Sequence, residues 1–253
     1  MNIPAIKAIY RFEMARMFRT LVQSLAAPVL STSLYFVVFG AAIGAGIQQV
    51  NGVSYGAFIV PGLIMLAVLT EGIGNASFAI HMPKWSGTIF ELLSAPVGTP
   101  EIVLGYVGAA TTKSVLLGLV ILATSALFVP LQVAHPLWML LMLVAVSFAF
   151  CLFGFLIGIW ATSWERLTII PSLVITPLTF LGGSFYSLDM LPPAFRALSW
   201  FNPVVYVIGG FRWAFHGHSE VSLWICALVV GGLMLGCLAL LHHVLRKGYR
   251  LRH

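Results

Sequence analysis

Apolar residues along this chain come in long unbroken runs, not in the one-sided or alternating patterns of a soluble domain. Six such runs, at 24–46, 56–79, 102–128, 137–161, 168–188 and 222–245, are each long enough to cross a hydrocarbon layer, which takes about 20 residues of helix. Residues 1–23 follow another rule. With about 100° of turn per residue, Ile3, Ile6, Tyr10, Met14, Met17 and Leu21 share one side of a helix, while Arg11, Arg16 and Arg19 lie elsewhere around it. That pattern predicts an interfacial helix in the headgroup plane, apolar side down and basic residues towards anionic lipid. A solvated helix would leave the whole stripe exposed.

The fifth run carries Pro171 and Pro177, which remove backbone donors and predict a kink, and Gly182 and Gly183 near its far end permit a break. The segment 189–221 that follows is too interrupted by Pro192, Pro193, Pro203, Gly209 and Gly210 for one crossing, and too aromatic for a loop in water. Irregular backbone at membrane depth must be covered by protein or face water, so the segment reads as one or two short re-entrant or interfacial helices. The expected architecture is an all-α membrane protein of one domain, 1–253. It comprises an N-terminal amphipathic interfacial helix, six transmembrane helices, a broken re-entrant outer segment between the fifth and sixth, and a basic tail at 246–253.

Composition sharpens this picture. The 253 residues are 60% hydrophobic and 8% charged, with a mean hydropathy of +1.02, which leaves no room for a separate soluble domain. The net charge of +6 comes from 13 basic and 7 acidic residues, and its distribution speaks for a membrane surface and against nucleic acid. With the N-terminus in the cytoplasm, Lys7, Arg11, Arg16, Arg19, Lys84, Arg166 and the basic residues of the tail all fall on that side, while loops 47–55 and 129–136 carry neither Lys nor Arg. The positive-inside rule then places both termini in the cytoplasm. Cys151, Cys226 and Cys237 all lie in apolar runs, so no disulfide framework is expected. No short apolar core with a cleavage site opens the chain, so no removable signal peptide is expected.

Candidate chemistry is sparse. Glu71 and Lys113 lie inside the second and third runs, at depths of ~12 and ~16 Å from the cytoplasmic ends at about 1.5 Å per residue. Charges there are costly unless paired or facing water. The two are candidates for an intramembrane ion pair, for lining a substrate path, or, through Glu71, for proton relay. No metal site is expected, since His216 with His218 and His242 with His243 lack a third ligand. No nucleophile, base and orienting acid stand together. The connection 81–98 reads HMPKWSGTIFELLSAPVG, in which Gly87 and Thr88 can start a short helix, Ile89, Phe90, Leu92 and Leu93 give it apolar faces, and Pro96 limits it. Such a helix suits a groove in a partner protein, or lipid alone.

The string GTIFELLSAP, together with FLGGSFYSLDMLPPAFRALSWFNPVVYVIGGFRW, resembles the membrane-spanning permease subunits of type-2 ABC exporters. The first is similar to that family's ATPase-coupling segment, here Gly87, Thr88, Phe90, Glu91, Leu92, Leu93 and Pro96. The second is similar to its outer segment, with Leu191 and Pro192, Asn202 and Pro203, and Arg212 in the recurring positions. Many relatives carry Arg just before the coupling glycine, where this chain has Lys84, Trp85 and Ser86. The resemblance implies an ATP-driven exporter of the bacterial inner membrane, with two permease copies and two ATPase subunits, the substrate path at or near the permease interface, and ATP and Mg held by the ATPase. Members move lipids, lipid-linked glycans, polysaccharides or drugs. This chain lacks the phosphate-cradling GxxxxGK[ST] loop; its nearest approach, GAATTKS at 108–114, misses the glycine before Lys113. It is therefore expected to bind no cofactor itself and to be no enzyme. The rival class is an ion-coupled secondary transporter using Glu71. The outer segment holds Arg212 for one of two purposes, satisfying freed carbonyls or meeting a substrate's anionic group.

Overall fold

The computed structural model describes residues 1–20, 22–40, 46 and 49–247. Helix α1 spans Ile3–Arg19, and a short π-helical stretch, Val22–Ala26, leads into α2, Ala27–Val38. A two-stranded hairpin follows, β1 Gln49–Val50 and β2 Val53–Ser54. The long α3, Tyr55–Ser86, ends at Gly87, and α4, Ile89–Ser94, is a turn and a half. Next come α5, Thr99–Ser125, and α6, Pro136–Trp160. The fifth apolar run is divided into α7, Trp164–Ile170, a π-helical turn Pro171–Ile175, and α8, Thr176–Leu181. After a 3-10 turn, Leu188–Met190, the chain forms α9, Pro193–Ser199, α10, Pro203–His216, and α11, Leu223–Lys247.

Among the described residues α3, α5, α6 and α11 are long and apolar enough to cross a membrane, and Ile3–Arg19 with Ser24–Val38 meets the same test only as one element bent by 83°. The chain alternates between two ends of the bundle, one carrying α4 and the other the hairpin. The hairpin departs from the all-α expectation. Asn51 and Gly52 take φ of +51° and +79°, the paired left-handed conformation of a type I′ turn, which Asn-Gly adopts most readily. Residues 41–45 of the first expected run lie outside the described residues, as do 248–253 of the basic tail.

The central helix is α3, packed on α5 and α6 with Phe58, Ile64, Leu69 and Ile73 fully buried. Lipid tails are as apolar as leucine, so helices here associate by close packing rather than by escape from water. Glycine supplies the closeness. A Cβ on Gly154 would stand 2.5 Å from the Ile73 carbonyl oxygen, and one on Gly158 would overlap that of Ser77. Gly232 and Gly236 of α11, at the same spacing, face nothing within 4 Å.

Two boundaries move from their expected places, and one helix packs differently. Helix α3 continues beyond residue 79 to Ser86, and what ends it is Gly87 at φ +80°, a left-handed C-cap that costs glycine little. The fifth run begins earlier, at Trp164, and the kink expected of its prolines takes the form of a π turn. Pro177 has no N–H to donate, and the Thr176 N–H reaches back five residues to the Pro171 carbonyl. The third correction concerns α1. Its inward side packs on α5 instead of lying on lipid: Asn2 N–H donates to Glu101 Oε1 at 2.8 Å and Tyr10 Oη–H donates to Thr112 Oγ1 at 2.9 Å. Met17 and Glu13 are buried on that side, while Ile3, counted in the expected stripe, is exposed. As α1 advances from Asn2 to Glu13 its partners advance from Glu101 to Lys113, so the two helices run side by side in one direction.

Candidate functional site

The intramembrane charges do not pair as their depths suggested. Lys113 Nζ lies 3.4 Å from Glu13 Oε2, and the same oxygen takes Arg16 Nη2 at 2.6 Å. Glu13 is 2% exposed and Lys113 7%, so a buried carboxylate holds two cations. No ion pair joins Lys113 to Glu71 among the described residues. The signal for Glu13 was legible: it is a lone acid in a basic helix, three residues before Arg16.

Glu71 stands instead on the open side of α3, half-buried, where two cavities meet. The first, about 280 Å³, lies between α3 and α2 and reaches Phe180 of α8, with Ser31, Thr32 and Tyr35 on its wall. The second, about 440 Å³, lies between α3 and α7, with Ser77, Thr168, Ser172 and Trp164. Thr70, Glu71 and Thr176 line both. The hydroxyls recur at helical spacing, as Ser31 and Tyr35 on one wall and Thr168, Ser172 and Thr176 on another. That periodicity is the sequence signal for a polar groove.

At the α4 end an aromatic cluster ties α3 to α7. The Trp164 ring lies 4.9 Å from His81, 5.5 Å from Phe78 and 5.7 Å from Trp85, between ring centres. Beside it Lys84 Nζ donates to the carbonyls of Gly158, Ile159 and Ala161 at the end of α6, a cation on the groups a helix C-terminus leaves free. The coupling-type segment starts three residues later. Thr88 precedes α4, and its hydroxyl meets that of Ser86 at 3.0 Å. Ile89 is buried against the bundle, Phe90 is 53% exposed, Leu92 is half-buried, and Glu91 and Pro96 face outward. The Leu93 side chain lies outside the described residues.

At the hairpin end the outer segment is tied to α8. Pro192 precedes α9. Asn202 caps α10, its Oδ1 accepting from Val204 N–H at 3.0 Å, while its Nδ2 donates to the Leu178 carbonyl at 2.6 Å. Pro203 follows at the first helical position, where its missing N–H costs nothing. Arg212 is buried, with Nη2 donating to the Gly183 carbonyl at 2.6 Å and the guanidinium 4.0 Å from the centre of the Phe58 ring. The carbonyl it satisfies is thus at the end of α8, not beside Pro203. Its Nε has no hydrogen-bond partner among the described residues. Glu220 accepts from the Ser187 hydroxyl and from Leu188 N–H, pinning the same loop. Arg196 meets Asp189 at 2.6 Å, but both are about half exposed, and such pairs contribute about 0–1 kcal/mol. His216 lies near Arg212 and His218 at the end of α10; burial first, and then those two charges, push its pKa down to about 4.

Several long apolar helices, close-packed through glycine and flanked by a polar groove, define a multi-pass membrane protein. The family described as ABC-2 type transporter matches residues 4–216, and the chain belongs to that family. It is 43% identical over 219 residues to Inner membrane transport permease YadH of Escherichia coli (strain K12), covering 87% of this chain and 86% of that protein. It is 27% identical over 217 residues to Nodulation protein J of Rhizobium leguminosarum bv. trifolii, covering 85% and 83%. Nodulation protein J of Rhizobium meliloti (strain 1021) is 28% identical over 180 residues, covering 71% and 69%.

Proposed function

We propose that this chain is the membrane-spanning permease of an ATP-driven exporter in the bacterial inner membrane, working as two copies with two separate ATPase subunits that hold ATP and Mg. Residues 1–253 form one membrane domain that crosses six times, through α2, α3, α5, α6, the α7–α8 pair and α11. Both termini and α4 then face the cytoplasm, as the basic residues favour, and α1 starts at the cytoplasmic end of α5 and packs along it, its outer side towards membrane lipids. The observation that carries the reading is the groove along α3. It gathers hydroxyls and one carboxylate at the depth of the long apolar helices, where an unpaired carboxylate is costly unless it faces water.

In this reading α4 docks on the ATPase through Phe90 and its neighbours, and the Trp164 cluster hands its motion to α7 and thus to the groove wall. The segment 189–219 closes the outer end of the path. Pro192, Asn202, Pro203 and Arg212 hold that segment to α8. Co-purification of the permease with its ATPase, followed by ATP turnover in lipid, tests the assembly. Phe90→Ala is expected to lower association at least fivefold while leaving the permease inserted. Unchanged association would remove α4 as the docking element. Reporter fusions at Val50, His135 and the C-terminus test the orientation, with only the last expected to be cytoplasmic. The rival, ion-coupled reading draws on the same Glu71 carboxylate, and transport driven by a proton gradient without ATP would favour it.

A further inference from the structure

Six of the groove's hydroxyls already spend their hydrogen-bond donor on the backbone, leaving Ser31 and Tyr35 aside. Thr32, Thr70, Ser77, Thr168, Ser172 and Thr176 each donate to a carbonyl of their own helical stretch, at 2.5–3.0 Å. A hydroxyl so engaged keeps its oxygen lone pairs and can only accept. With the Glu71 carboxylate between them, the groove presents acceptors along both cavities. Its nearby cations are committed elsewhere. Lys113 and Arg16 both bind Glu13, and Arg16, whose Cζ lies 4.8 Å from the centre of the Phe78 ring at the edge of the second cavity, is held at 2.6 Å. The remaining walls are apolar, with Leu63, Leu66 and Phe180 in one cavity and Phe78, Trp164 and Leu167 in the other.

We infer that the transported molecule is an amphiphile whose head carries a protonated amine, the ammonium seated between Glu71, Thr70 and Thr176 and the apolar body along the Leu63–Leu66 or Phe78–Trp164 wall. An ammonium has three donors and no acceptor, the complement of this lining. The aromatic walls add attraction for a cation. A phosphate head beside Glu71 would meet a carboxylate and a row of lone pairs, with the Ser31 and Tyr35 hydroxyls of the first cavity the only hydroxyl donors to set against them among the described residues. This inference rests on the groove being the substrate path.

The test uses the full chain in a non-ionic detergent and three probes: a dansylated alkylamine, its N-acetylated neutral twin, and dodecyl phosphate as competitor. Binding is read by dansyl fluorescence, and folding is checked for each variant by size-exclusion profile and melting temperature. The wild type is expected to bind the amine at least tenfold tighter than the twin, with dodecyl phosphate failing to displace it. Glu71→Gln is expected to abolish the preference while leaving binding of the twin within twofold, and Thr176→Val to reduce the preference about threefold. Equal binding of amine and twin by the wild type, or a preference that survives Glu71→Gln, overturns the inference. The path itself is tested separately by Ala67→Trp, which fills the first cavity. Unaltered binding of both probes, with unaltered ATP-driven transport in the complex, would remove the groove as the path. Loss of both, without any amine preference in the wild type, would keep the path and discard the substrate class.

Discussion

The two sides of α3 share a backbone and little else. Towards α6, Leu69, Gly72, Ile73, Ala76 and Ile80 are buried, and Gly154 and Gly158 bring the α6 backbone against the carbonyls of Ile73 and Ser77. Towards α2 and α7, Ala67, Thr70, Glu71, Gly74 and Phe78 form a stripe at helical spacing that stays partly open and lines cavities. A rigid seam on one side lets the other side hold an open polar surface in position. The difference also separates the buried carboxylate of Glu13 from the half-buried one of Glu71. Glu13 sits in a closed contact with two cations, a structural arrangement, and Glu71 sits where a ligand can reach it.

The seam is the place where a single substitution should do most damage. Gly158→Leu drives a side chain into the Ser77 backbone, which cannot move aside as a flexible side chain can. Overpacking of that kind costs about 3 kcal/mol or more where backbone must shift. The expected outcome is loss of the monodisperse peak in detergent. Gly232→Leu on α11, where nothing lies within 4 Å, should elute and melt as the wild type. Equal tolerance of both substitutions would mean that the α3–α6 contact can open to take a side chain.

Next in size comes the contrast between the carboxylates. Glu13→Gln leaves Lys113 buried without a countercharge, and breaking such a pair costs ~3 kcal/mol. Lys113→Met should cost less, because Glu13 keeps Arg16 at 2.6 Å. Glu71→Gln should change the melting temperature hardly at all, since no ion pair is lost among the described residues. The three melting curves, run together, should rank Glu13→Gln lowest and Glu71→Gln indistinguishable from wild type. A large destabilisation by Glu71→Gln would make that carboxylate a structural group like its counterpart.

A third, smaller effect belongs to the α4 end. Lys84→Met removes a cation from three carbonyls at the end of α6, and hydrogen bonds to a charged group contribute about 1.5–3 kcal/mol. Water can take over part of that role at a helix terminus, so a loss of about 1.5 kcal/mol is expected. Faster amide exchange at the last turn of α6, with the seam unaffected, is the specific readout.

How much of this was legible in the sequence follows from what each feature leaves on the hydropathy pattern. Long apolar runs announce α3, α5, α6 and α11, and Gly87, Thr88 and Pro96 frame α4 closely. The open stripe on α3 is nearly invisible, because Ala67, Gly74 and Phe78 count as apolar while lining a cavity. Only Thr70 and Glu71 betray it. The partner of Lys113 was missed for a related reason: depth along a span limits which charges can meet, but which helices are neighbours decides it. Glu13 comes from a helix expected on lipid and found packed along α5. The hairpin is a different case, since Asn51-Gly52 is a turn signal that a search for apolar runs passes over.

The smallest expected effect probes the other end of the groove. A guanidinium can make a planar, two-pronged contact, for which lysine is a poor substitute. In the fold one Nη2 donates to one carbonyl, that of Gly183, while the charge rests over Phe58 and Nε stays without a hydrogen-bond partner among the described residues. An ammonium can make one such bond and keep its place over the ring, and it also relieves the burial of an unpaired Nε. Arg212→Lys is therefore expected to cost about 1 kcal/mol or less, mostly through weaker stacking of a smaller cation. Arg212→Leu should cost more, since it strands the Gly183 carbonyl and leaves Glu220 without the nearby charge. The two variants, compared by melting temperature and by transport in the assembled complex, separate charge from shape. Lysine matching wild type in both would assign Arg212 to holding the loop after α8. Lysine that melts normally but no longer transports would mean that the guanidinium plane meets the substrate on its way out.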